Sequence, residues 1–345
     1  MNYPAEIITG CVHIHTTDSD GTQSIEEIAE IANQLGLDFI IVSDHMTLKS
    51  LKEGKEGYYG NTLVLIGYEI HDPDNRNHYL VYGLDEILPS NLRAPDYVKM
   101  AADKDALGII AHPDEIRGHL PEYPRYPWTE WNIEGFNGIE IWNHMSRWME
   151  GLKKYNKLKM FLSPRSFLTS PSDRILRIWD EFNQDRKVAG IGSIDVHAFP
   201  YKFGPFRLTI FPYKVQFQAI RTHLVLDKPL SRNLEVAKQQ VITAIKECRV
   251  FISNYRWGDA SEFKAFAESE SSRVEIGGYA NWTEGMDLSV SVPKAGEIAV
   301  IRNNKLYERC KGKIERIPLR IPGLYRVEVK LKNKGWIFSN HFNLR

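Results

Sequence analysis

Short apolar runs recur along the first part of the chain, with segments of helical spacing between several of them. The runs are Ile7 to His15, Asp38 to His45, Thr62 to Ile70, His78 to Leu84, Gly108 to Pro113, Gly138 to Asn143 and Val188 to His197. Runs of this length read as buried strands. Helical spacing is clearest from Ser24 to Leu35, where Ile25, Ile28, Ile31, Ala32 and Leu35 share one face. Ser24 with Glu27 forms a capping-box pattern at its start, and Gly36 stops it. Ala94 to Ala106, Asp173 to Asp185 and Asn233 to Glu247 have the same spacing. Strands alternating with helices imply parallel strands joined by crossover helices, and seven or more such strands fit a closed or nearly closed α/β barrel.

The pattern changes after Trp257. Arg273 to Ile276, Met286 to Val292, Glu297 to Arg302, Ile314 to Arg320, Leu324 to Leu331 and Trp336 to Phe342 are short and alternate apolar with polar residues. Turn residues such as Arg302-Asn303-Asn304 and Pro322-Gly323 separate them. This is the signature of a small all-β, sandwich-like domain. The expected organisation is a barrel over residues 1–256 and a β domain over 257–345. Between Glu115 and Arg186 the pattern is less regular and rich in Pro and Trp, as in the long connections that build a substrate pocket at one end of a barrel.

Composition narrows the function classes. The chain has 345 residues, 43% hydrophobic and 26% charged, with a formal net charge of zero. No global field draws it to nucleic acid or an anionic membrane, so no stable nucleic-acid partner is expected. Eleven Lys or Arg between Arg302 and Lys334 stand against Glu308, Glu315 and Glu328, which reads as solvated strand faces. The cysteines at 11, 248 and 310 are odd in number and far apart, against a disulfide framework or a thiolate zinc site. The opening MNYPAEIITG lacks the basic-then-apolar signature of a signal peptide, and no apolar run reaches membrane-spanning length. A cytoplasmic protein is the expectation, with the oligomeric state open.

The chemistry is carried by histidines. Nine of the eleven lie before residue 200, many at the carboxyl end of an expected strand. His13 and His15 end the first strand, Asp44-His45 the second, Glu69 the third, His112 the run from Gly108, and Asp195-Val196-His197 the last. The carboxyl ends of barrel strands converge on one mouth, so these scattered residues are expected to meet. Alternate residues of a strand share a side, which lets His13 and His15, or Asp195 and His197, reach one ion. Asp20 lies in the loop after the first strand. Imidazoles and carboxylates without thiolates suit catalytic zinc, manganese or iron. Asp44 is expected to orient a liganding imidazole, and Glu140 to sit behind the ligands or touch substrate. Arg117 is the candidate phosphate clamp, and Trp131 and Trp142 are candidates for stacking on a base or sugar, with core packing the favoured role for Trp142, which lies within a strand. His71, His119 and His144 have no assigned place, and His223 and His341 read as structural.

Several stretches together resemble the polymerase and histidinol phosphatase (PHP) family: His13-Ile14-His15-Thr16 with Ser19-Asp20-Gly21, Ser43-Asp44-His45, Gly67-Tyr68-Glu69, Ala111-His112-Pro113, and Gly192-Ser193-Ile194-Asp195-Val196-His197. They cover most of residues 10 to 200. The resemblance implies a distorted seven-stranded barrel with two or three divalent ions. It implies one ion on His13, His15, Glu69 and Asp195, a second on Glu69, His78 and His112, and a third on Asp20, His45 and His197. The implied activity is hydrolysis of a phosphate ester, of a small molecule or a nucleotide, by a hydroxide bridging two ions. Two rival readings are an amidohydrolase-like enzyme acting on a C–N or carboxylic ester bond, and a non-catalytic metal-binding module. The first usually bridges its metals with a lysine, where this chain offers Glu69.

Overall fold

The computed structural model describes residues 6–118, 124–153, 155–203, 206–270 and 272–345. The first part runs β1 (Glu6–Ile14), α1 (Ile25–Gln34), β2 (Phe39–His45), α2 (Lys49–Lys52), β3 (Gly57–Tyr59), β4 (Thr62–Ile70), β5 (Tyr79–Tyr82), α3 (Ala94–Asp103), β6 (Leu107–Ile110) and β7 (Gly138–Asn143). Next come α4 (His144–Gly151), α5 (Lys157–Leu162), α6 (Asp173–Asp185), β8 (Ala189–Ser193), β9 (Phe199–Phe203), β10 (Phe206–Ile210), α7 (Tyr213–Gln216), β11 (Ile220–Leu226), α8 (Leu234–Lys246) and β12 (Val250–Asn254). The remainder is all strand: β13 (Lys264–Glu268), β14 (Arg273–Glu275), β15 (Tyr279–Ala280), β16 (Asp287–Arg302), β17 (Lys305–Pro318), β18 (Gly323–Leu331), β19 (Lys334–Ser339) and β20 (Phe342–Leu344). The fold is mixed α/β with one large sheet. No helix among the described residues is long and apolar enough to cross a membrane.

Strands β1, β2 and β4 are parallel neighbours, as are β6, β7 and β8. Strand β5 departs from the expected parallel run, pairing antiparallel with both β4 and β6. The cause is the link from Ile70 to Tyr79, which has no helix to carry the chain back along the sheet, so the chain returns alongside. Beyond the end of β8, the Ile194 and His15 amides donate to the Val12 and Val196 carbonyls, joining that segment to β1.

Alternate residues of β2 face two cores. Phe39 and Ile41 join Leu63, Leu65, Leu80 and Ile109, covered by Ala237, Val241 and Ile245 of α8. Ile40 and Val42 face Ile25, Ile28, Ala29 and Ala32 of α1. The capping box that opens α1 is present, with Ser24 and Glu27 bonding reciprocally.

Strands β11 and β12 are not predicted by the apolar pattern, since Arg221, Thr222 and His223 interrupt the first and Ser253 and Asn254 end the second, yet Ile220–Leu226 and Val250–Asn254 are buried throughout. They carry the sheet onward: β11 pairs antiparallel with β1 and β12, and β12 pairs with β19. The separate strands expected at Met286 to Val292 and Glu297 to Arg302 form one strand, β16, whose pairing with β17 absorbs an irregularity between Ser291 and Gly296.

A buried ionic cluster ties the C-terminal strands to the rest. Arg326 Nε lies 2.7 Å from Asp180 Oδ1, Arg326 Nη1 lies 2.6 Å from Glu328, and His341 Nε2 lies 2.7 Å from Asp180. Arg326 is therefore not part of a solvated face. His341 is structural, and so is His223, stacked on Phe251 and bonded to Thr9 and Ser253.

Removing one partner of a buried pair leaves the other uncompensated, so Arg326→Ala should cost about 3–5 kcal/mol in urea unfolding. A loss below about 1 kcal/mol would mean that the cluster is solvated. Burial and then Arg221 push the His223 pKa down to about 3. Its contribution to stability is complete above about pH 6.5 and is lost as the pH falls toward 3, because only the unfolded chain takes up the proton there. Wild type should therefore lose up to about 1.4 kcal/mol per pH unit more than His223→Gln on acidification. Equal slopes in urea titrations from pH 7 to 4 would refute this.

Candidate metal centre

The local backbone brings the histidines together. The parallel register of β2 and β4 sets His45 beside Glu69. Ala111 N–H donates to the His78 carbonyl, drawing the approach to β5 against the end of β6. The pairing of β1 with β2 shifts between Val12 and Ile14, and His13 sits there at φ 68°. Asp195 (φ 52°) and His112 (φ 28°) also lie in the left-handed region, each past the last residue of its strand. Regular alternation is therefore not what turns His13 and Asp195 inward. A side chain in this region costs roughly 1–3 kcal/mol, and such outliers cluster at functional sites.

Glu69 is the hub. Its Oε2 lies 3.1 Å from His13 Nε2, 3.4 Å from His15 Nε2 and 3.3 Å from His45 Nδ1. Its Oε1 lies 2.7 Å from His78 Nδ1 and 3.3 Å from His112 Nε2. Asp195 Oδ1 lies 3.4 Å from both His13 Nε2 and His15 Nε2. Asp20 Oδ1 lies 3.3 Å from His197 Nε2 and 3.7 Å from His15 Nδ1 and His45 Nε2.

All nine candidate ligands thus meet. Three groupings have ligand atoms within 4.8 Å of one another: His15, Asp20, His45 and His197; His13, Glu69 and His112; and His13, His15 and Asp195. His78 reaches Glu69 but stands outside these groupings, with Nε2 3.0 Å from Asn75 Oδ1. The donor set is all nitrogen and oxygen, which suits catalytic zinc, manganese or iron. Both ring nitrogens of His15, and Nδ1 of His45 and of His112, are buried without a hydrogen-bond partner. Buried polar atoms are rarely left unpaired, so these residues fit bound cations.

Charge follows the geometry. Burial pushes the Glu69 carboxyl up, but the His13, His78 and His45 charges outweigh it and hold it well below the usual range. Burial, with His197 adding, drives His15 down to about 3, which favours the neutral imidazole that coordinates. Burial acts the same way on His112, but its bond to Glu69 and the Glu115 charge raise it to about 9.

The supporting residues differ in part from expectation. Glu140 stands behind the ligands: Oε1 lies 2.7 Å from His13 Nδ1, and Oε2 accepts from the His112 N–H and the Asn143 amide. Asp44 accepts instead from the Thr16 N–H and hydroxyl and the Ser19 hydroxyl, so it braces the loop that carries Asp20 rather than orienting an imidazole. That loop lies flat on the end of β1, since a Cβ on Gly21 would come within 2.3 Å of the His15 carbonyl oxygen. The Tyr213 hydroxyl, donating to the same carbonyl, closes the arrangement.

The centre forms the floor of a cavity of about 770 Å³. Arg117 lines it, held by Glu115 Oε1 at 2.7 Å and the Pro124 carbonyl at 2.9 Å. His71 also lines it, stacked on His78. Trp142 packs on Phe338 and Trp131 on Phe182, so both serve the core rather than the cavity. His144 is buried against Gln216, and His119 lies outside the described residues. Glu115, Tyr126 and Phe199 also line the cavity and are absent from the sequence reading. Glu115 and Tyr126 sit in the irregular region, where spacing gives no signal, and Phe199 opens β9, a short strand that no apolar run predicts.

No family model and no curated protein matches the chain. It is similar to PHP-like metal-dependent phosphoesterases of known structure. One is a two-domain protein from Bacteroides vulgatus containing a predicted PHP-like metal-dependent phosphoesterase, at 14% identity and a TM-score of 0.46 over 98% of this chain and 95% of that one. Another, from Bifidobacterium adolescentis and assigned as a metal-dependent phosphoesterase, is at 15% identity and 0.37, over 60% of this chain and 94% of that one. A third is an amidohydrolase from Chromobacterium violaceum with bound sulfate and no metal, at 12% identity and 0.33, over 55% and 87%.

Outer partners of ligating histidines typically matter 10–100-fold, so Glu140→Gln should weaken metal binding by roughly that factor in competition with a chromophoric chelator. Unchanged affinity would remove Glu140 from the site.

Proposed function

We propose that the chain is a metal-dependent phosphoesterase of PHP type, and that Glu69 is the carboxylate shared between ions. The observation that carries this reading is the division of the Glu69 oxygens, with His13, His15 and His45 on one side and His78 and His112 on the other. A carboxylate faced by separate imidazole sets suits a centre of two or more ions. The residues that would hold them are His13, His15, Glu69, His112 and Asp195, with Asp20, His45 and His197 for a further one. His78, 2.7 Å from Glu69 Oε1, would join His112 on that side. When bound, such ions supply Lewis acidity and hydroxide at neutral pH.

The chain's own residues set the remainder. Glu140 fixes the His13 ring and the His112 backbone, so the floor is organised before substrate arrives. Arg117, immobilised by Glu115, presents a cation at the cavity wall for a phosphate oxygen. In this reading β1, β2 and β4 to β8 make up a distorted seven-stranded barrel, supported by the bonds between β1 and the segment after β8. In this reading the strands after residue 257 are a second, sandwich-like unit, which the all-strand run from β13 to β20 supports.

The test is metal content of the purified protein, with phosphate release on sugar phosphates, nucleotides and an aryl phosphate, for wild type and His13→Ala. About two to three equivalents of metal are expected, with turnover reduced more than about 100-fold in the variant. Turnover confined to C–N or carboxylic ester substrates would overturn the phosphoesterase reading in favour of an amidohydrolase-like one. Metal without any turnover would favour a binding module.

A further inference from the structure

The cavity has two chemically distinct halves. One is the imidazole and carboxylate floor. The other is a wall of Met145, Trp148, Met149, Leu152, Phe161 and Ile210, which belong to an apolar cluster separate from the main cores. The wall has fixed shape: the Phe161 ring lies 5.5 Å from that of Trp148 and stacks at 5.7 Å on that of Tyr201. The two methionines add adaptable surface. The halves meet where Phe199 stacks on the candidate ligand His197, ring centroids 4.7 Å apart. The carboxylates of the cavity, Asp20, Glu69, Glu115 and Asp195, belong to the floor or to the Arg117 anchor, whereas the charged residue that lines the cavity from α5, together with Phe161, is the cation Lys157.

A volume of about 770 Å³ is that of a site for a drug-sized ligand, well beyond what a phosphate group fills. A polyol set against this wall would leave hydroxyls without partners, which is costly. An apolar group there gains from burial. Apolar character also continues outside the cavity, on the segment that carries Lys157 and Phe161: Tyr155 is 83% exposed, Leu158 69% and Leu162 75%.

We infer that the substrate of this site is an amphiphilic phosphate ester, with its phosphate at the floor beside Arg117 and an uncharged apolar alcohol portion against the Met145–Trp148–Phe161–Ile210 wall. The inference rests on the phosphoesterase reading and names the substrate class for it. The floor supplies charge recognition, and the wall selects by burial alone.

The test is calorimetric binding of non-hydrolysable alkylphosphonates, from methyl to octyl and below their aggregation concentrations, to the metal-loaded full chain, with ribose 5-phosphate for comparison. Affinity should rise about fourfold for each CH₂ that the wall buries. Phe161→Ala and, separately, Ile210→Ala should flatten that rise while the melting temperature shows each variant folded. A flat series, or ribose 5-phosphate binding more tightly than octylphosphonate, would overturn the inference. Where the soluble series rises, decylphosphonate binding more tightly from phosphatidylcholine vesicles than octylphosphonate does free in solution would support the inference and assign a lipid surface as the source; equal or weaker binding from vesicles would support it with a free soluble ester as the source. The two readings fail separately. A rising series with no ester hydrolysed defeats the phosphoesterase reading alone, whereas hydrolysis with no dependence on chain length in Kd or kcat/KM defeats only the substrate class.

Discussion

A carboxylate buried at the end of a central strand has to be compensated, and the geometry around Glu69 follows from that need. Glu69 is 1% exposed. Isolated in apolar surroundings, its charge would be prohibitive. Strand register supplies the first compensating group, His45, directly alongside on β2. The short return from β4 to β5 supplies His78, and the ends of β1 and β6 supply His13, His15 and His112. The antiparallel β5, which breaks the expected topology, is thus what carries one of the five imidazoles to the hub.

The site is held in an unfavourable backbone state by interactions just behind it. His13, His112 and Asp195 all adopt positive φ. Glu140 reaches two of these three, through a side-chain nitrogen of His13 and the backbone amide of His112. Asp44 plays the matching part on the other side, fixing the loop that ends in Asp20. The acidic residues of the centre therefore divide into those that face the cavity and those that hold the facing ones in place. A substrate entering the cavity would meet groups whose positions are already set, which lowers the reorganisation a reaction there requires.

Much of this was legible in the sequence because strand ends are. Histidines and acids placed where apolar runs stop are brought together by any fold that gathers the carboxyl ends of its strands, so all nine candidates meet. Alternation along a strand was a less faithful guide, since a bulge at His13 and a left-handed residue at Asp195 decide where those side chains point. Roles were harder to read than positions. Asp44 was recognisable as a residue of the site, yet whether it serves an imidazole or a loop depends on what Thr16 and Ser19 do in three dimensions. The cavity wall was illegible because Met145, Phe161 and Phe199 lie in segments without a clear period. Strands β11 and β12 were illegible because their buried polar residues, Arg221 to His223 and Ser253 with Asn254, break or shorten the apolar runs that mark a buried strand.

The pairing of β12 with β19 bears on how the chain assembles. Residues 250–254 offer an unpaired backbone edge until residues 334–339 have been made. The Asn340 amide, which bonds the Gly190 and Val250 carbonyls, arrives later still. During synthesis the half that bears the metal centre therefore waits with an open edge and with Asp180 lacking its cation. Contacts of such long sequence separation form slowly, and an uncovered edge invites pairing with another chain. The final strands of this protein thus act on its yield as well as its architecture: until they are in place, the rest of the molecule is a template for aggregation.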